Sequence, residues 1–117
     1  MGRLSTHVLD TMQGRPAADV RVELFRLDDN GGETVAVTRT NSDGRTAEPL
    51  MHGPNFRIGA YELRFHIGEY FQRATRNEAA PPFLDVVPIR FRISEPQGHY
   101  HVPLLATPWS YATYRGS

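Results

Sequence analysis

Two histidines near the end of the chain have the spacing of a reactive strand face. His99 and His101 are two residues apart, and alternate side chains of an extended strand leave on the same face. Both imidazoles can therefore project together, while Tyr100 points the other way. A neutral imidazole can accept a proton from water near physiological pH, so this face is a candidate for general base catalysis.

The chain ends in an unusually polar tetrapeptide. Its residues provide a phenol, a guanidinium, a flexible glycine and a hydroxyl, namely Tyr114, Arg115, Gly116 and Ser117. Terminal residues are commonly frayed and carry little chemistry. This composition instead predicts a functional segment.

The His99/His101 pair is also typical of a zinc or copper site. Zinc takes three or four protein ligands, and the chain contains no Cys, so a third His would have to come from a distant segment. We therefore expect no metal and no cofactor, although the spacing alone leaves a metal site open.

Composition excludes several classes of chemistry. Without Cys there is no thiol nucleophile or disulfide, and because all 13 basic residues are Arg, there is no lysine for a Schiff base. The formal net charge is zero and the Arg residues are dispersed among carboxylates, which argues against nucleic-acid and anionic-membrane partners. The N-terminus lacks the apolar run of a signal peptide and no segment is apolar enough to span a bilayer, so a soluble, cytoplasmic protein is expected.

The elements that must position these residues are mostly short strands. Alternation of apolar and polar residues predicts strands at 4–9, 20–27, 34–40, 61–65 and 87–93, and one that begins at His99. A helix is predicted for 67–75, where apolar residues recur at i, i+3, i+4 and i+7. Residues 28–32 predict a hairpin loop longer than the two-residue minimum, and Pro88 predicts an edge or strand-start position. Together these elements predict one domain, residues 1–117, with an all-β antiparallel sandwich and one short helix.

Two further polar residues occupy defined positions in this scheme. His7 lies on the less apolar face of the first strand, and Arg45 follows a strong turn signal at 41–44. His52 and His66 are expected to be surface residues.

Several motifs, in order along nearly the whole chain, resemble the transthyretin-related hydroxyisourate hydrolases. They are STHVLD, GRPA, SDGR, YELRF followed by EYF, HYHVPLL and the final YRGS. YRGS is the most specific, because the thyroid-hormone-carrying transthyretins share the sandwich but lack it. The resemblance implies a transthyretin-like (prealbumin-like) fold of two four-stranded sheets and a homotetramer with active sites at the dimer–dimer interface. It also implies metal-free hydrolysis of 5-hydroxyisourate to 2-oxo-4-hydroxy-4-carboxy-5-ureidoimidazoline in urate breakdown.

Carried over residue by residue, the resemblance assigns three catalytic positions and a substrate-binding segment. The catalytic set is His7, Arg45 and His101; the substrate-binding set is Tyr114, Arg115, Gly116 and Ser117; His99 is expected to support the site without being indispensable. Which His is the general base stays open, as does a covalent route through Ser117, although direct attack of water is favoured. The alternatives to an enzyme are a small-ligand carrier and a structural interaction module.

Overall fold

The computed structural model describes all 117 residues and contains eleven β-strands and one α-helix. The strands are β1 (Arg3–Ser5), β2 (Val8–Asp10), β3 (Arg15–Pro16), β4 (Arg21–Asp28), β5 (Gly31–Arg39), β6 (Met51–His52), β7 (Gly59–Phe65), β8 (Val87–Ile93), β9 (His99–His101), β10 (Leu104–Ala106) and β11 (Tyr111–Thr113), and the helix is α1 (Ile67–Thr75). A single 3-10 turn, Gly53–Asn55, follows β6.

One layer of the fold is a regular antiparallel sheet of long strands in the order β5-β4-β7-β8. The strand β4 follows the alternation in the sequence: Val22 and Leu24 are fully buried, whereas Arg21 and Glu23 are only partly buried. The strands predicted at 20–27, 34–40, 61–65 and 87–93 are confirmed, with shifts of up to three residues at their ends. β8 lies at the edge of the sheet, as Pro88 predicts.

The hairpin between β4 and β5 is tighter than predicted. The strands remain paired up to Asp28 and Gly31, so the loop has only two residues. Gly31 has φ +110, which a residue with a side chain rarely adopts, and the Asp28 carboxylate accepts the N–H of Asn30 at 2.8 Å. These two features close the turn early, and the prediction of a longer loop was wrong.

The second layer is made of short strands in two pieces, β6-β1-β9 and β11-β10-β2-β3. The strand predicted as continuous over 4–9 is divided into β1 and β2, and each half pairs in parallel with β9 or β10. Hydrogen bonds from the N–H of Val102 to the Ser5 carbonyl and from the N–H of Leu104 to the His7 carbonyl, each 2.9 Å, join the pieces across the interruption. The all-β sandwich is confirmed, but these two strand pairs are parallel and the second layer is not one uninterrupted four-stranded sheet.

Three very short strands lie where the sequence showed no regular pattern. β3 lies between the predicted strands 4–9 and 20–27 and pairs with β2, β6 pairs with β1, and β11 pairs with β10. Two or three residues are too few for side-chain alternation to be visible, so only pairing with a neighbour defines them.

The core lies between the two layers and beneath the helix. It is one cluster of 21 buried apolar residues, and α1, which has the bounds predicted, contributes Ile67, Tyr70 and Phe71. The Tyr70 hydroxyl donates to the buried Asp10 carboxylate at 2.7 Å, which anchors the helix to the end of β2. At nine residues, α1 is too short to span a bilayer, and the structure has no membrane-spanning helix.

Candidate functional site

A small polar cavity opens where β1, β9, the turn at 41–45 and the end of the chain meet. Its volume is about 250 Å³. It is lined by Arg3, Ser5, Arg45, His99, Tyr100, His101 and Ser117.

His101 is held in this cavity by the parallel pairing of β9 with β1. The register places Ser5 opposite His101, and Ser5 Oγ lies 2.9 Å from His101 Nδ1. The imidazole is half-buried, and burial is the largest cause of a lowered pKa; the nearby Arg45 and His7 charges lower the pKa further. His101 therefore remains neutral, and able to accept a proton, at a lower pH than an exposed histidine.

His7 occupies the interruption between β1 and β2. Its Nε2 donates a hydrogen bond to the Asp43 carbonyl at 2.8 Å, because a carbonyl can only accept. In the neutral ring this leaves Nδ1 as an acceptor. The neighbouring Thr6 hydroxyl donates to the Val102 carbonyl at 2.7 Å from the buried side, which fixes the backbone at this point.

Arg45 is positioned by a turn that is pressed against β2. The Asn41 side-chain oxygen accepts the N–H groups of Asp43 and Arg45, at 2.9 and 3.2 Å. Gly44 has φ +75 and accepts the Val8 N–H at 2.8 Å; a Cβ at Gly44 would lie 2.4 Å from the Val8 carbonyl oxygen. The close approach therefore requires glycine, and it brings Arg45 to the start of β2, next to His7.

The cavity is cationic. Neither Arg3 nor Arg45 forms an ion pair, and no Asp or Glu side chain lines the cavity. Two guanidinium groups without an ion-pair partner, beside imidazoles, favour an anionic, oxygen-rich ligand.

The end of the chain reaches the cavity by pairing with β9. The Gly116 N–H donates to the His101 carbonyl at 2.7 Å, and the His101 N–H donates to the Gly116 carbonyl at 3.2 Å. A Cβ at Gly116 would come within 3.1 Å of the His101 ring, so a side chain here would crowd the imidazole. This pairing places Ser117 in the cavity beside His101.

Tyr114 and Arg115 do not line this cavity. Both line a separate depression of about 240 Å³ on β8, which also includes Ile89 and Phe91. Arg115 lies over the Tyr100 ring, with its guanidinium carbon 4.1 Å from the ring centroid. Of the four substrate-binding candidates, Ser117 lines the cavity and Gly116 pairs with the His101 backbone, whereas contact of Tyr114 and Arg115 with substrate stays a prediction.

Sequence reasoning missed three residues of the cavity lining, Arg3, Ser5 and Tyr100, and Tyr100 was expected to point away from the histidine face. Arg3 and Ser5 alternate with His7 and so share its face of the chain, a signal that was present in the spacing. What the spacing does not contain is the parallel register with β9, which sets Arg3 opposite His99 and Ser5 opposite His101.

A larger cavity, of about 670 Å³, lies between β5 and the segment 47–57. Its only histidine is His52, so it brings no pair of imidazoles together. Nowhere in the chain do three His, Cys, Asp or Glu side chains lie close enough to hold a metal ion. The small cavity, which brings His99 and His101 together, is therefore the better candidate for a catalytic site, although it is the smaller of the two.

Comparison with known proteins gives consistent matches along the whole chain. Residues 4–116 match the model of the HIUase/Transthyretin family. The chain is 54% identical to 5-hydroxyisourate hydrolase of Deinococcus radiodurans, over 97% of this chain and 95% of that protein. Among solved structures, the 5-hydroxyisourate hydrolase of Klebsiella pneumoniae is 38% identical with a TM-score of 0.82, and each chain is covered completely.

A longer protein also contains a domain of this kind. A crystal structure of (S)-allantoin synthase is 46% identical with a TM-score of 0.92; the match covers 99% of this chain but only 44% of that one. These matches each cover nearly all of this chain, and the chain therefore belongs to the HIUase/Transthyretin family.

Proposed function

We propose that residues 1–117 act as one hydrolase domain that converts 5-hydroxyisourate to 2-oxo-4-hydroxy-4-carboxy-5-ureidoimidazoline. The observation that carries this proposal is the polar cavity, in which a half-buried His101 of lowered pKa lies with Arg45 and Ser117. The hydrolase names of full-length relatives at about half identity support the same substrate. A carrier of apolar ligands would need apolar walls, and this cavity has one hydrophobic residue in its lining.

The guanidinium groups bind the substrate oxygens in this proposal. Arg45 has no carboxylate partner, so it can form hydrogen bonds with the substrate and stabilise negative charge that develops on the attacked carbonyl. Arg3, which lines the same cavity, provides a second positive charge for the substrate anion.

The two histidines divide the proton transfers. Water attacks the ring amide carbonyl, a C–O bond forms, the ring C–N bond breaks, and one proton moves from water to the leaving nitrogen. His101 has the lowered pKa that keeps a base neutral, and His7 has one ring nitrogen committed to Asp43 and one free. The geometry supports His101 as the base and His7 as the group that orients water or passes the proton on.

The hydroxyl of Ser117 hydrogen-bonds to substrate in this mechanism rather than attacking it. A covalent route needs a base against the serine hydroxyl and a third group to orient that base. The only hydrogen bond recorded for the His101 ring is to Ser5 Oγ, and no side-chain hydrogen bond joins Ser117 to an imidazole. Direct attack of water is therefore the better-supported route.

A homotetramer, with active sites between dimers, remains part of the proposal. Two features support further assembly: β8 and β11 lie at sheet edges, and Phe83, Trp109 and Tyr114 are exposed. Multi-angle light scattering should give four times the 13.2 kDa mass of one chain. The proposed cytoplasmic location can be tested by cell fractionation.

The test of the activity is the ultraviolet decay of 5-hydroxyisourate generated in the cuvette by urate oxidase. Native protein should accelerate the decay. His101→Ala should lower kcat/KM by about 10²–10⁴-fold, the usual contribution of a general base.

A matched control is His52→Ala, because His52 is an exposed histidine outside the small cavity. It should retain native activity, and a chelator should change nothing if the reaction needs no metal. Folded native protein that leaves the spontaneous decay unchanged would refute the hydrolase, and loss of activity on chelation would refute the metal-free mechanism.

A further inference from the structure

The end of the chain is attached to the sheet by more than its backbone. Gly116 pairs with His101, whereas the preceding residue, Arg115, turns away and packs on Tyr100. The Arg115 side chain, one residue before the Gly116–His101 pairing, therefore contacts Tyr100, whose ring takes no part in the proposed mechanism.

Tyr100 is built into the fold as a rigid platform. It is 5% exposed, and the Phe56 ring packs against it with the centroids 6.1 Å apart. Its hydroxyl oxygen accepts the N–H groups of Ser94 and Glu95, at 3.0 and 3.1 Å. The same residue therefore fixes both the ring surface under Arg115 and the backbone of the turn that carries Glu95.

Arg115 is held from two directions. Its guanidinium carbon lies 4.1 Å from the Tyr100 ring centroid, and its Nη1 lies 3.7 Å from a carboxylate oxygen of Glu95. A guanidinium over an aromatic face is attracted by the negative face of the ring. The half-exposed Arg115 therefore has two favourable contacts that exist only when the end of the chain lies against β9.

We infer that Tyr100, Glu95 and Arg115 form a latch that holds Gly116 against His101 and so delivers Ser117 to the cavity. The three latch residues are positioning residues, and none of them needs to contact substrate. The effect of the latch on turnover rests on the proposed function, whereas its effect on docking of the chain end does not.

The size of the effect follows from the two contacts. An exposed ion pair and a cation–π contact each change an equilibrium by roughly two- to fivefold, so together they favour docking by about tenfold. The Gly116 amide reports this equilibrium directly, because its N–H is hydrogen-bonded to His101 only in the docked state.

The experiment is hydrogen exchange of the C-terminal peptide, measured with turnover on the same samples. Arg115→Gln should speed exchange of the Gly116 amide by about tenfold, and Glu95→Gln by two- to fivefold. Both substitutions are at exposed side chains, so the fold should be unaffected. Arg115→Lys keeps the charge for Glu95 but lacks the planar group that stacks on Tyr100, so it should give an intermediate rate.

Arg92→Gln is the matched control, because Arg92 lines the same depression and makes no ion pair or ring contact. It should exchange and turn over like the native protein. Parallel changes in exchange and kcat across the latch variants would support the inference.

Two results would overturn the inference. Loss of turnover in Arg115→Gln with unchanged exchange would mean that Arg115 acts on substrate itself. Faster exchange with full turnover would mean that docking is irrelevant to the reaction. If the native protein proves inactive on 5-hydroxyisourate, the exchange rates still test the latch separately from the proposed function.

Discussion

The two layers of the sandwich differ in the length of their strands and in how far apart in the chain their paired residues lie. The layer β5-β4-β7-β8 consists of strands of seven to nine residues, and in β4 and β8 successive residues alternate between more and less buried positions. The other layer consists of strands of two or three residues, and its key pairings join residues about 95 positions apart. The predicted catalytic residues all lie in or against this second layer.

The difference suggests a division of roles, in which the layer of long strands stabilises the fold and the layer of short strands positions the candidate catalytic residues. Long strands with an alternating pattern provide a rigid, locally encoded support. Short strands leave interruptions, such as Thr6–His7, at which polar side chains and loops can converge on one point. The following predictions test this division, from the largest expected effect to the smallest.

The regular layer should control stability. Leu63 is fully buried in β7, so Leu63→Ala removes core packing and should lower the free energy of unfolding by about 2–5 kcal/mol. Turnover per folded molecule should be retained. Urea denaturation and the hydroxyisourate assay measure the two effects, and Val37→Ala, at a side chain 54% exposed in β5, is the control. A large loss of specific activity in folded Leu63→Ala would contradict the division.

The turn at 41–45 should couple stability to activity. Gly44→Ala introduces strain at φ +75 and a Cβ against the Val8 carbonyl, so the free energy of unfolding should fall by about 1–3 kcal/mol. Because the turn must move, the His7–Asp43 contact is lost and kcat should fall with it. Gly14→Ala is a matched control: Gly14 has φ +71 but nothing within 4 Å of the added Cβ. Equal effects of the two substitutions would show that strain alone matters.

The pKa of His101 should lie below the ordinary histidine value of about 6.5. A base of lowered pKa loses its proton at lower pH, so the acid limb of kcat/KM should also lie below that value. Arg45→Gln removes the second cause and should raise the pKa, but not to the ordinary value, because burial, the largest cause, remains. NMR titration of the His101 ring measures both, and a midpoint above 6.5 in the native protein would exclude this account.

Arg3 should contribute to substrate binding only. Arg3→Gln should raise KM by about three- to fivefold without changing kcat, since an exposed guanidinium contact contributes about 1 kcal/mol at most. The difference should shrink in high salt, where the charge is screened. Arg57→Gln removes an exposed, unpaired guanidinium of the larger cavity and should leave KM unchanged.

Predictability from the sequence follows the same division. The helix 67–75 and the long strands were predicted because their side-chain periodicity extends over at least the five residues of 61–65. The short strands β3, β6 and β11 and the two-residue hairpin were not, because no pattern can be established over two or three residues, or because the turn geometry depends on a single backbone angle.

The candidate site shows a comparable limit. His7, Arg45, His101 and Ser117 were named from residue types and motifs, and the structure brings the last three into one cavity with His7 beside them. Arg3 and Ser5 carried a visible alternation with His7, but nothing marked them as neighbours of His101.

The sequence by itself determined which chemical groups are available, because the absence of Cys and Lys and the His–Arg composition restrict what any fold could do. It also determined the regular elements, because side-chain periodicity is a local property. Only the tertiary structure decided that β1 lies parallel to β9, that Arg115 turns to Tyr100 while Ser117 enters the cavity, and that His101 is half-buried beside Arg45. Those outcomes depend on contacts between residues far apart in the chain, and a pKa is set by what surrounds a group in space rather than by its neighbours in sequence.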